Sequence, residues 1–391
     1  MNNIRNLKKI NLDSFSLYLK YGYISIPRLK PIYKNYNSNK WIKTYYKIEK
    51  NINSELVLNY LKSKVDRFVK NQKKQNKKIC LMLSSGADSR LLYNLIEQSV
   101  IKYEYTNNFF NFTGTFKGYK KYSENEILKK KWNKKIINHR LVNINPKSFF
   151  MLINQANKIN EQPVNGLPNI IYVKIVEEVS KIFGSENVVI VAGIGDQIFF
   201  NGTIKILKAT MKDKNYNKTH DHIFNKPSNY LQREYDIKAD RIKEKLKPLK
   251  IFKIKSNYHY FINQNNFMYR GPKVISEFQN IFRHFKVKSF IPFIDKKFIC
   301  LILSLPLNEL HDKKNIKTFI YFANKVTDPH QKPFTGLKMT TPQREIIYSN
   351  KKKISKMINN SSLINYDIVN KSKFLKQFNK YNKNYSIIKK K

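Results

Sequence analysis

Short apolar runs alternate with helical patterns from residue 78 onward. The run ICLML precedes RLLYNLIEQS, in which apolar residues recur at helical spacing, and YTNNFFNFTGTF precedes the helical pattern ENEILKKKWNKKI. HRLVNI is followed by the long apolar pattern GLPNIIYVKIVEEVSKIF, which leads into NVVIVAGIG. Strands that alternate with helices are typical of parallel strands joined by crossover helices. The pattern therefore predicts an α/β fold with four strands, one in each of the four β-rich runs.

The segments on either side of this region have mainly helical patterns. NSELVLNYLKSKVDRFVKNQKK predicts an amphipathic helix with a lysine-rich outer face. After Gly202 the stretches SNYLQREYDIKADRIKEKL, KVISEFQNIFRHF and DKKFICLILSLP indicate further helices, so we expect a mainly helical C-terminal half. The apolar positions that predict the buried face of the first helix are Leu56, Leu58, Leu61, Val65 and Phe68.

We divide the chain into three parts on these patterns. Residues 1–75 are an N-terminal segment that ends in the amphipathic helix, and residues 76–345 form the α/β domain with its helical second half. Residues 346–391 are a Lys/Asn-rich extension, expected to be exposed helices or a frayed tail.

Composition and charge narrow the class of protein without naming a partner. Hydrophobic residues make up 41% of the chain and aromatic residues 14%, which excludes a disordered chain. The 75 lysines and arginines against 27 acidic residues give a net charge of +48, a field that would attract RNA, DNA or anionic lipid. Lysine, asparagine, isoleucine and tyrosine are abundant everywhere, however, so we favour a compositional bias over a dedicated nucleic-acid face.

The two cysteines and the apolar runs indicate the compartment. Cys80 and Cys300 both lie in apolar contexts, so we expect buried free thiols and neither a disulfide nor a metal site. The N-terminus lacks an apolar core of signal-peptide length, and no apolar run approaches the ~18 residues of a membrane span. We therefore expect a soluble, cytoplasmic protein with no membrane span.

The stretch LMLSSGADSRLLYNLI, residues 81–96, places a loop of small residues between a predicted strand and a helix. Loops of this kind at the carboxyl end of parallel strands bind phosphate through backbone amides and the positive end of the helix. Asp88 would repel phosphate unless a divalent cation lay between them, and Mg²⁺ binds carboxylate and phosphate oxygens together. The loop lacks the lysine of the Walker A motif, and the alternative is an ordinary helix capped by serine and aspartate.

A second acidic loop follows the fourth predicted strand. NVVIVAGIGDQIFFNG repeats the order of strand, glycine loop and acid, and Asp196 lies 108 residues after Asp88 (196 minus 88). Two carboxylates at strand ends of one sheet can hold Mg²⁺ over a triphosphate. Taken alone, Asp196 is equally well explained as a helix cap or a turn residue.

These motifs resemble those of a known family. LSSGADS is similar to the SGGxDS pyrophosphate loop of the N-type ATP pyrophosphatases, and its surroundings are similar to the synthetase domain of asparagine synthetase and β-lactam synthetase. YGYISIPRLKPIYKN, EQPVNGLPNIIYVKIVEEVSK, AGIGDQIFF, FIPFIDKKFICLILSLP and HQKPF match further family segments in the family's order, over roughly residues 12 to 345. The resemblance implies a parallel twisted sheet flanked by helices, of the adenine nucleotide α-hydrolase type.

The resemblance also implies a reaction. In this family a carboxylate attacks the α-phosphorus of ATP, and ammonia or an amine then displaces AMP from the acyl-adenylate to give an amide. By residue match, the loop would bind pyrophosphate and Mg²⁺, with Ser85 at the position of the family's first glycine. The residues assigned to this loop are Ser84, Ser85, Gly86, Asp88 and Ser89.

Three further positions receive roles by the same match. Asp196 would be the second Mg²⁺ ligand, and Lys332 would neutralise charge on the α-phosphate and pyrophosphate as the bond breaks. The backbone near Thr113 would contact adenine. The alternatives are a surface lysine among many for Lys332 and a plain buried strand for Thr113. We interpret Asp295, Glu161 and Pro163 as structural residues.

The chain also departs from the family pattern. It begins Met1-Asn2-Asn3, and neither cysteine is near a terminus, so we expect no glutaminase domain in this chain. The nitrogen would come from free ammonia, from an amine substrate as in the lasso-peptide cyclases, or from a separate glutaminase partner. The positions that differ near the acceptor side, and that put specificity for aspartate in doubt, are Ile194, Gln197 and Phe290.

The leading hypothesis is an ATP- and Mg²⁺-dependent amide-forming ligase that activates a small-molecule or peptide carboxylate, with aspartate one candidate. A peptide or small-molecule cyclase of the same family is a close alternative. A tRNA-modifying ATP pyrophosphatase, in which the positive charge binds RNA, is a further alternative that we do not favour. The last alternative is a binding module whose nucleotide site has decayed. The presence of Asp88, Asp196 and Lys332 argues against it.

Overall fold

A computed structural model describes residues 49–118, 123–132, 134–160, 164, 166–195, 271–306, 309, 318–330, 340–360, 370–376 and 378–379. The chain divides into two compact units. One comprises Ser38–Gly202 and Asn266–Gln343, and the other comprises Met1–Asn37, Thr203–Asn265 and Arg344–Lys391. The sheet described next belongs to the first of these units.

Five strands in the described part of the chain form one sheet with all neighbouring pairs parallel. The spatial order is β3-β2-β1-β4-β5. The chain thus adds β2 and β3 on one side of β1 and then crosses to the other side for β4 and β5. The strands are β1 (Lys78–Met82), β2 (Phe109–Phe116), β3 (His139–Ile144), β4 (Val188–Ala192) and β5 (Lys288–Phe290).

Helices join and cover these strands. The helices of the described residues are α1 (Ser54–Lys74), α2 (Ala87–Lys102), α3 (Glu124–Trp132), α4 (Phe149–Asn160), α5 (Gly166–Phe183), α6 (Gly271–His284), α7 (Lys296–Ser304), α8 (Thr318–Thr327), α9 (Thr340–Ser349) and α10 (Lys351–Asn359). Five of them, α1, α2, α3, α7 and α8, share a buried cluster with Ile79, Leu81 and Phe109 on one face of the sheet.

The opposite face of the sheet packs against α5. A Cβ atom on Gly114 of β2 would lie 2.6 Å from Cγ2 of Ile171, so α5 approaches the strand backbone closely at this point. Phe183 at the end of α5 packs on Phe110, with ring centroids 4.6 Å apart. Because the central strands are buried on both faces, they read as continuous apolar runs in the sequence, as parallel strands usually do. All five residues of β4 are buried.

The structure confirms the predicted α/β class and the four predicted strands. HRLVNI coincides with β3, and GLPNIIYVKIVEEVSKIF coincides with α5. The sequence analysis did not predict β5 or α4. Within the described residues, the short β5 pairs with β4 at the edge of the sheet. Two of its three residues are exposed, and its sequence KSF therefore has no apolar run that would predict a strand.

The buried face of α1 differs by one position from the prediction. Leu58, Leu61 and Val65 are buried as expected, but the prediction for Leu56 was wrong, because 43% of its surface is exposed. Val57, together with Leu58, instead begins the buried stripe, which continues to Val69. Leu56 follows the N-cap Asn53 by three residues, and its amide donates to the Asn53 side chain at 2.9 Å.

The predicted helix SNYLQREYDIKADRIKEKL lies outside the described residues. In the Lys/Asn-rich extension the structure describes α10 and a short helical stretch from residue 371. Among the residues that are described, we find no helix with the length and apolar character needed to cross a membrane.

Candidate functional site

The order of the strands identifies one crevice in the sheet. The connection after β1 runs to β2 on one side, and the connection after β3 returns to β4 on the other side of β1. In open α/β sheets ligands bind outside the carboxyl ends of the strands at such a switch point. The two loops that flank it here are residues 83–86, after β1, and residues 193–195, after β4.

Serine side chains shape the loop after β1. Ser89 Oγ donates to the carbonyl oxygen of Ser84 at 2.9 Å and accepts from the Ser84 amide at 3.1 Å. The hydroxyls of Ser84 and Ser89 lie 2.9 Å apart, and the Gly86 amide donates to Ser84 Oγ at 3.2 Å. Hydrogen bonds between serine side chains and nearby backbone groups are typical of turns that precede a helix. The loop is therefore closed on itself through the first turn of α2.

The middle residue of this loop faces into the protein. Ser85 is fully buried, whereas its neighbours Ser84 and Gly86 are partly exposed. The Ser85 amide donates to Oε2 of Glu124, the first residue of α3, at 2.6 Å. The loop thus presents Ser84 and Gly86 outward and anchors Ser85 from behind.

The N-terminus of α2 faces the same crevice without a side-chain cap. Gly86 is the N-cap residue and has no side chain to accept from the first-turn amides. Helix N-termini carry unpaired amides and a partial positive charge, and this makes them natural sites for anions. An uncapped terminus at a switch point is the arrangement expected for a phosphate site.

The loop after β4 lies directly against this terminus. A Cβ atom on Gly193 would lie 3.2 Å from both the Cα and the amide nitrogen of Ser89, and 3.4 Å from the carbonyl carbon of Asp88. These contacts are with backbone atoms, which cannot rotate away. The absence of a side chain at Gly193 therefore lets the two loops touch.

Charged side chains of the first turn of α2 are buried. Arg90 is only 1% exposed and Asp88 only 6% exposed. Burial lowers the pKa of Arg90 to about 10, while Tyr321, Asp88, Asp328 and Glu124 oppose this shift. Burial raises the pKa of Glu124, and hydrogen bonds from the side chain and the amide of Ser85, together with the charge of Arg90, oppose that shift. The first turn of α2 therefore contains a buried guanidinium that is balanced by carboxylates.

No family model matches the chain, and no curated protein sequence is significantly similar to it.

The structure brings together the five loop residues that the sequence singled out. Ser84, Ser85 and Gly86 form the loop, and Asp88 and Ser89 lie in the first turn of α2. The predicted residues Asp196 and Lys332, and the positions Glu161, Pro163 and Gln197, lie outside the described residues.

Thr113 lies in the interior of β2 with no exposed surface. Its hydroxyl donates to the carbonyl oxygen of Leu83 at 2.9 Å and lies 2.8 Å from Nε2 of His139. Because the single hydroxyl proton goes to Leu83, we assign the proton of the second bond to His139 Nε2. Burial, with a smaller effect of Lys129, lowers the pKa of His139 to about 4. The imidazole is thus neutral at pH 7 and binds Thr113 of β2, whose hydroxyl in turn donates to Leu83 after β1.

Asp295 has the structural role that we expected. It is the N-cap of α7, where its Oδ1 accepts from the Phe298 amide at 3.0 Å. The same carboxylate accepts from Tyr60 at 2.6 Å and from Lys64 at 2.7 Å, both on α1. Cys80 and Cys300 are buried free thiols, as expected.

Helix α8 is tied along α2 beside the loop. Asn324 donates to the carbonyl oxygen of Ala87 at 3.1 Å, and Gln98 donates to the carbonyl oxygen of Thr327 at 2.9 Å. Because both residue numbers rise together, the two helices run in the same direction. The chain after Thr327 therefore begins near the middle of α2.

Within the described residues, no group of three or more histidine, cysteine or acidic side chains is arranged so that it could hold a metal ion. The sequence analysis missed Glu124, Arg90 and His139. Each becomes significant only through a contact between distant parts of the chain, and the single local signal is that Arg90 lies one residue after the loop motif.

Proposed function

We propose that this chain is an ATP-dependent amide-forming ligase of the asparagine synthetase type. It activates a carboxylate as its acyl-adenylate, releases pyrophosphate, and transfers the acyl group to ammonia or an amine with release of AMP. The observation that carries the proposal is the contact of Gly193 with the N-terminus of α2. This contact joins two loops whose sequences resemble the two ATP-binding motifs of that family, at the switch point where α/β sheets bind ligands.

The pyrophosphate part of ATP would bind at the N-terminus of α2. Ser84 and Gly86 are the accessible residues of the loop, and the amides of the first helical turn add positive charge. Gly86 suits close approach of a phosphate, because a Cβ atom there would already lie 3.0 Å from Ser84 Oγ. Ser85 and Arg90 are buried, so these two side chains are not available to the phosphates.

Asp88 and Asp196 would hold Mg²⁺, which when bound neutralises charge on the phosphate oxygens. A carboxylate in the first turn of α2 fits this role, since Mg²⁺ is usually bound by one or two carboxylates together with substrate phosphates. Asp196 follows Gly193 by three residues, and three residues span at most about 11 Å. Gly193 is itself in contact with Asp88 and Ser89. The length of the chain therefore allows both carboxylates to reach one ion.

Lys332 would stabilise the charge that develops as the bond to pyrophosphate breaks. Thr327 lies beside Asn94, whose amide donates to the Thr327 hydroxyl at 3.3 Å. Asn94 is about 9 Å along the helix axis from Asp88. The five residues from Thr327 to Lys332 span at most about 17 Å. The chain is thus long enough to return to the phosphate site.

The carboxylate is proposed to be that of a small molecule or a peptide, with aspartate one candidate. In the family that the sequence resembles, the positions of Ile194 and Phe290 lie near the acceptor. Here Ile194 is buried, and Phe290 stacks on Phe68 with ring centroids 3.9 Å apart. These apolar side chains supply no charged partner for aspartate, so they do not select it over other carboxylates. Ammonia, an amine substrate or a separate glutaminase would supply the nitrogen.

The test is pyrophosphate release from ATP and Mg²⁺ in the presence of candidate amino acids and peptide acids, each with ammonium or an amine. We expect AMP and pyrophosphate in equal amounts, and the loss of both in Asp88→Asn. Glu126→Gln, a half-exposed acid on α3, is the matched control and should retain activity. Formation of ADP and phosphate, or an unchanged rate in Asp88→Asn, would contradict the proposal.

The net charge of +48 supports one second candidate, a tRNA-modifying ATP pyrophosphatase that uses the same nucleotide site. This candidate predicts that tRNA stimulates pyrophosphate release and that tRNA affinity falls steeply with salt. It also predicts that Asp88→Asn still binds tRNA. Stimulation by carboxylates in the absence of RNA favours the ligase.

A further inference from the structure

Glu124 is a buried carboxylate that the proposed reaction does not use. It is 6% exposed, and its Oε2 accepts from the Ser85 amide at 2.6 Å. Hydrogen bonds to an ionised acceptor are shorter and roughly twice as strong as those between neutral groups. The two residues are 39 positions apart in sequence, so the contact joins the loop after β1 to the start of α3.

The backbone of the loop shows what this contact controls. The amides of Ser84 and Gly86 are held by the hydroxyls of Ser89 and Ser84, within the loop and the first turn of α2 that follows it. The amide of Ser85 is the one that is held from another element, through Glu124. Rotation of the Ser84–Ser85 peptide would turn Ser85 outward and displace Gly86, the N-cap of α2. Glu124 is therefore placed to fix the peptide that decides which residues face the crevice.

The cost of burying this carboxylate indicates that the contact has a purpose. A buried ionised group is destabilising unless it is paired and hydrogen-bonded. Here Arg90, which is also buried, supplies the opposing charge. A leucine or methionine would fill the same space without desolvating a charge, but it would leave the Ser85 amide without an acceptor. Compared with an apolar side chain, the carboxylate thus adds a hydrogen-bond acceptor for the Ser85 amide.

We propose that Glu124 is a positioning residue of the nucleotide site, which holds the Ser85 peptide inward so that Ser84, Gly86 and the first-turn amides of α2 face the phosphates. This inference rests on the proposed function for the identity of the ligand. The positioning itself depends only on the contact between Glu124 and Ser85. Glu124 touches neither the nucleotide nor any reacting atom in this arrangement.

Two substitutions separate the acceptor from the charge. Glu124→Gln removes the charge but keeps an oxygen that accepts from the Ser85 amide at the same reach. Glu124→Asp keeps the charge but shortens the side chain by one methylene group, so its oxygens fall short of the amide. Glu126→Asp, on the same helix and half-exposed, is the matched control. A residue that merely stabilised the fold through its charge would tolerate Asp better than Gln.

The first measurement needs no nucleotide. Hydrogen exchange of the full-length chain, followed by mass spectrometry on a peptide that covers residues 83–90, reports the protection of the Ser85 amide. We expect faster exchange in Glu124→Asp, near wild-type exchange in Glu124→Gln, and no change in Glu126→Asp. Equal exchange in the wild type and in Glu124→Asp would overturn the inference.

The second measurement is ATP affinity by calorimetry in the presence of Mg²⁺. We expect Glu124→Asp to weaken ATP binding by about tenfold, because the Ser85 amide loses its buried acceptor and the loop loses its inward conformation, while Glu124→Gln stays within about threefold. Unchanged affinity in Glu124→Asp overturns the positioning role. If the wild-type chain binds no ATP, the proposed function is overturned instead. Faster exchange in Glu124→Asp would then still support the contact by which Glu124 positions the Ser85 peptide.

Discussion

At the scale of single residues, Gly193 is a position in the site where a side chain would not fit. Its φ angle is not in the left-handed region, so the backbone conformation does not require glycine. Glycine is required because a Cβ atom would come too close to neighbouring backbone atoms. A methyl group there would press on the backbone of Ser89 and Asp88, which belongs to the first turn of α2. The position therefore sets how closely the loop after β4 can approach the phosphate site.

We predict that Gly193→Ala weakens ATP binding by about tenfold, because even a shift of about 1 Å in a binding loop disturbs ligand geometry. Calorimetric titration with ATP and Mg²⁺ measures this. Gly118→Asn is a matched control, since a Cβ atom at Gly118 meets nothing within 4 Å and asparagine tolerates its positive φ of 86°. Full ATP affinity in Gly193→Ala would show that the two loops can separate without loss.

At the scale of elements, the carboxylate that caps one helix also binds a second helix. Asp295 caps α7 and also binds Tyr60 and Lys64 of α1, so one carboxylate joins the two helices. Stacking of Phe68 on Phe290 adds a contact between α1 and the end of β5. The amphipathic α1 is thus part of the same core as the sheet, through the face that begins at Val57.

We predict that Asp295→Ala lowers the free energy of unfolding by about 2 kcal/mol, from the lost cap and the lost hydrogen bonds to α1. Asp295→Asn should lose less, because asparagine also caps helices and keeps an oxygen for Tyr60. Urea denaturation of both variants measures the difference. ATP affinity should not change, and a selective loss of ATP binding in a stable Asp295→Ala would show that Asp295 acts in the site.

At the scale of the whole molecule, acid stability has contributions from separate pH ranges. The pKa of His139 is lowered to about 4, mainly by burial, so the unfolded chain binds a proton there before the folded chain does. The stability that the neutral imidazole contributes above pH 6.5 is therefore lost as the pH falls from about 6.5 to 4. The pKa values of Asp66, Asp295 and Glu177 are lowered by their hydrogen-bonding partners despite burial, so their contribution is lost at lower pH.

We predict that His139→Gln flattens the fall in stability between pH 6.5 and 4, because glutamine can still donate to Thr113 but does not titrate. Denaturant unfolding at pH 7.5 and at pH 5 gives the loss in free energy of unfolding between these pH values. This loss should be smaller in the variant than in the wild type. The steeper loss below pH 4 should remain in His139→Gln. Parallel curves for the two proteins across the upper range would show that another group titrates there.

The sequence by itself determined the class of fold, the four main strands and the candidate phosphate loop. Each of these depends on local chemistry: continuous apolar runs predict buried parallel strands, and Ser84, Ser85 and Gly86 between a strand and a helix predict a tight loop. The edge strand β5 was not predicted, because its three residues, KSF, are too few and too polar to form a recognisable apolar pattern. Leu56 was misassigned because helical spacing alone leaves the edge of an apolar stripe uncertain by one position.

The tertiary structure alone decided which residues support the site. The hold of Glu124 on Ser85, the burial of Arg90, and the contact of Gly193 with Ser89 all join segments that are distant in sequence. No periodicity encodes such contacts, because they depend on the order of strands in the sheet and on the crossover that returns β4 beside β1. Local patterns specify elements, whereas a site at a switch point exists only once those elements are packed.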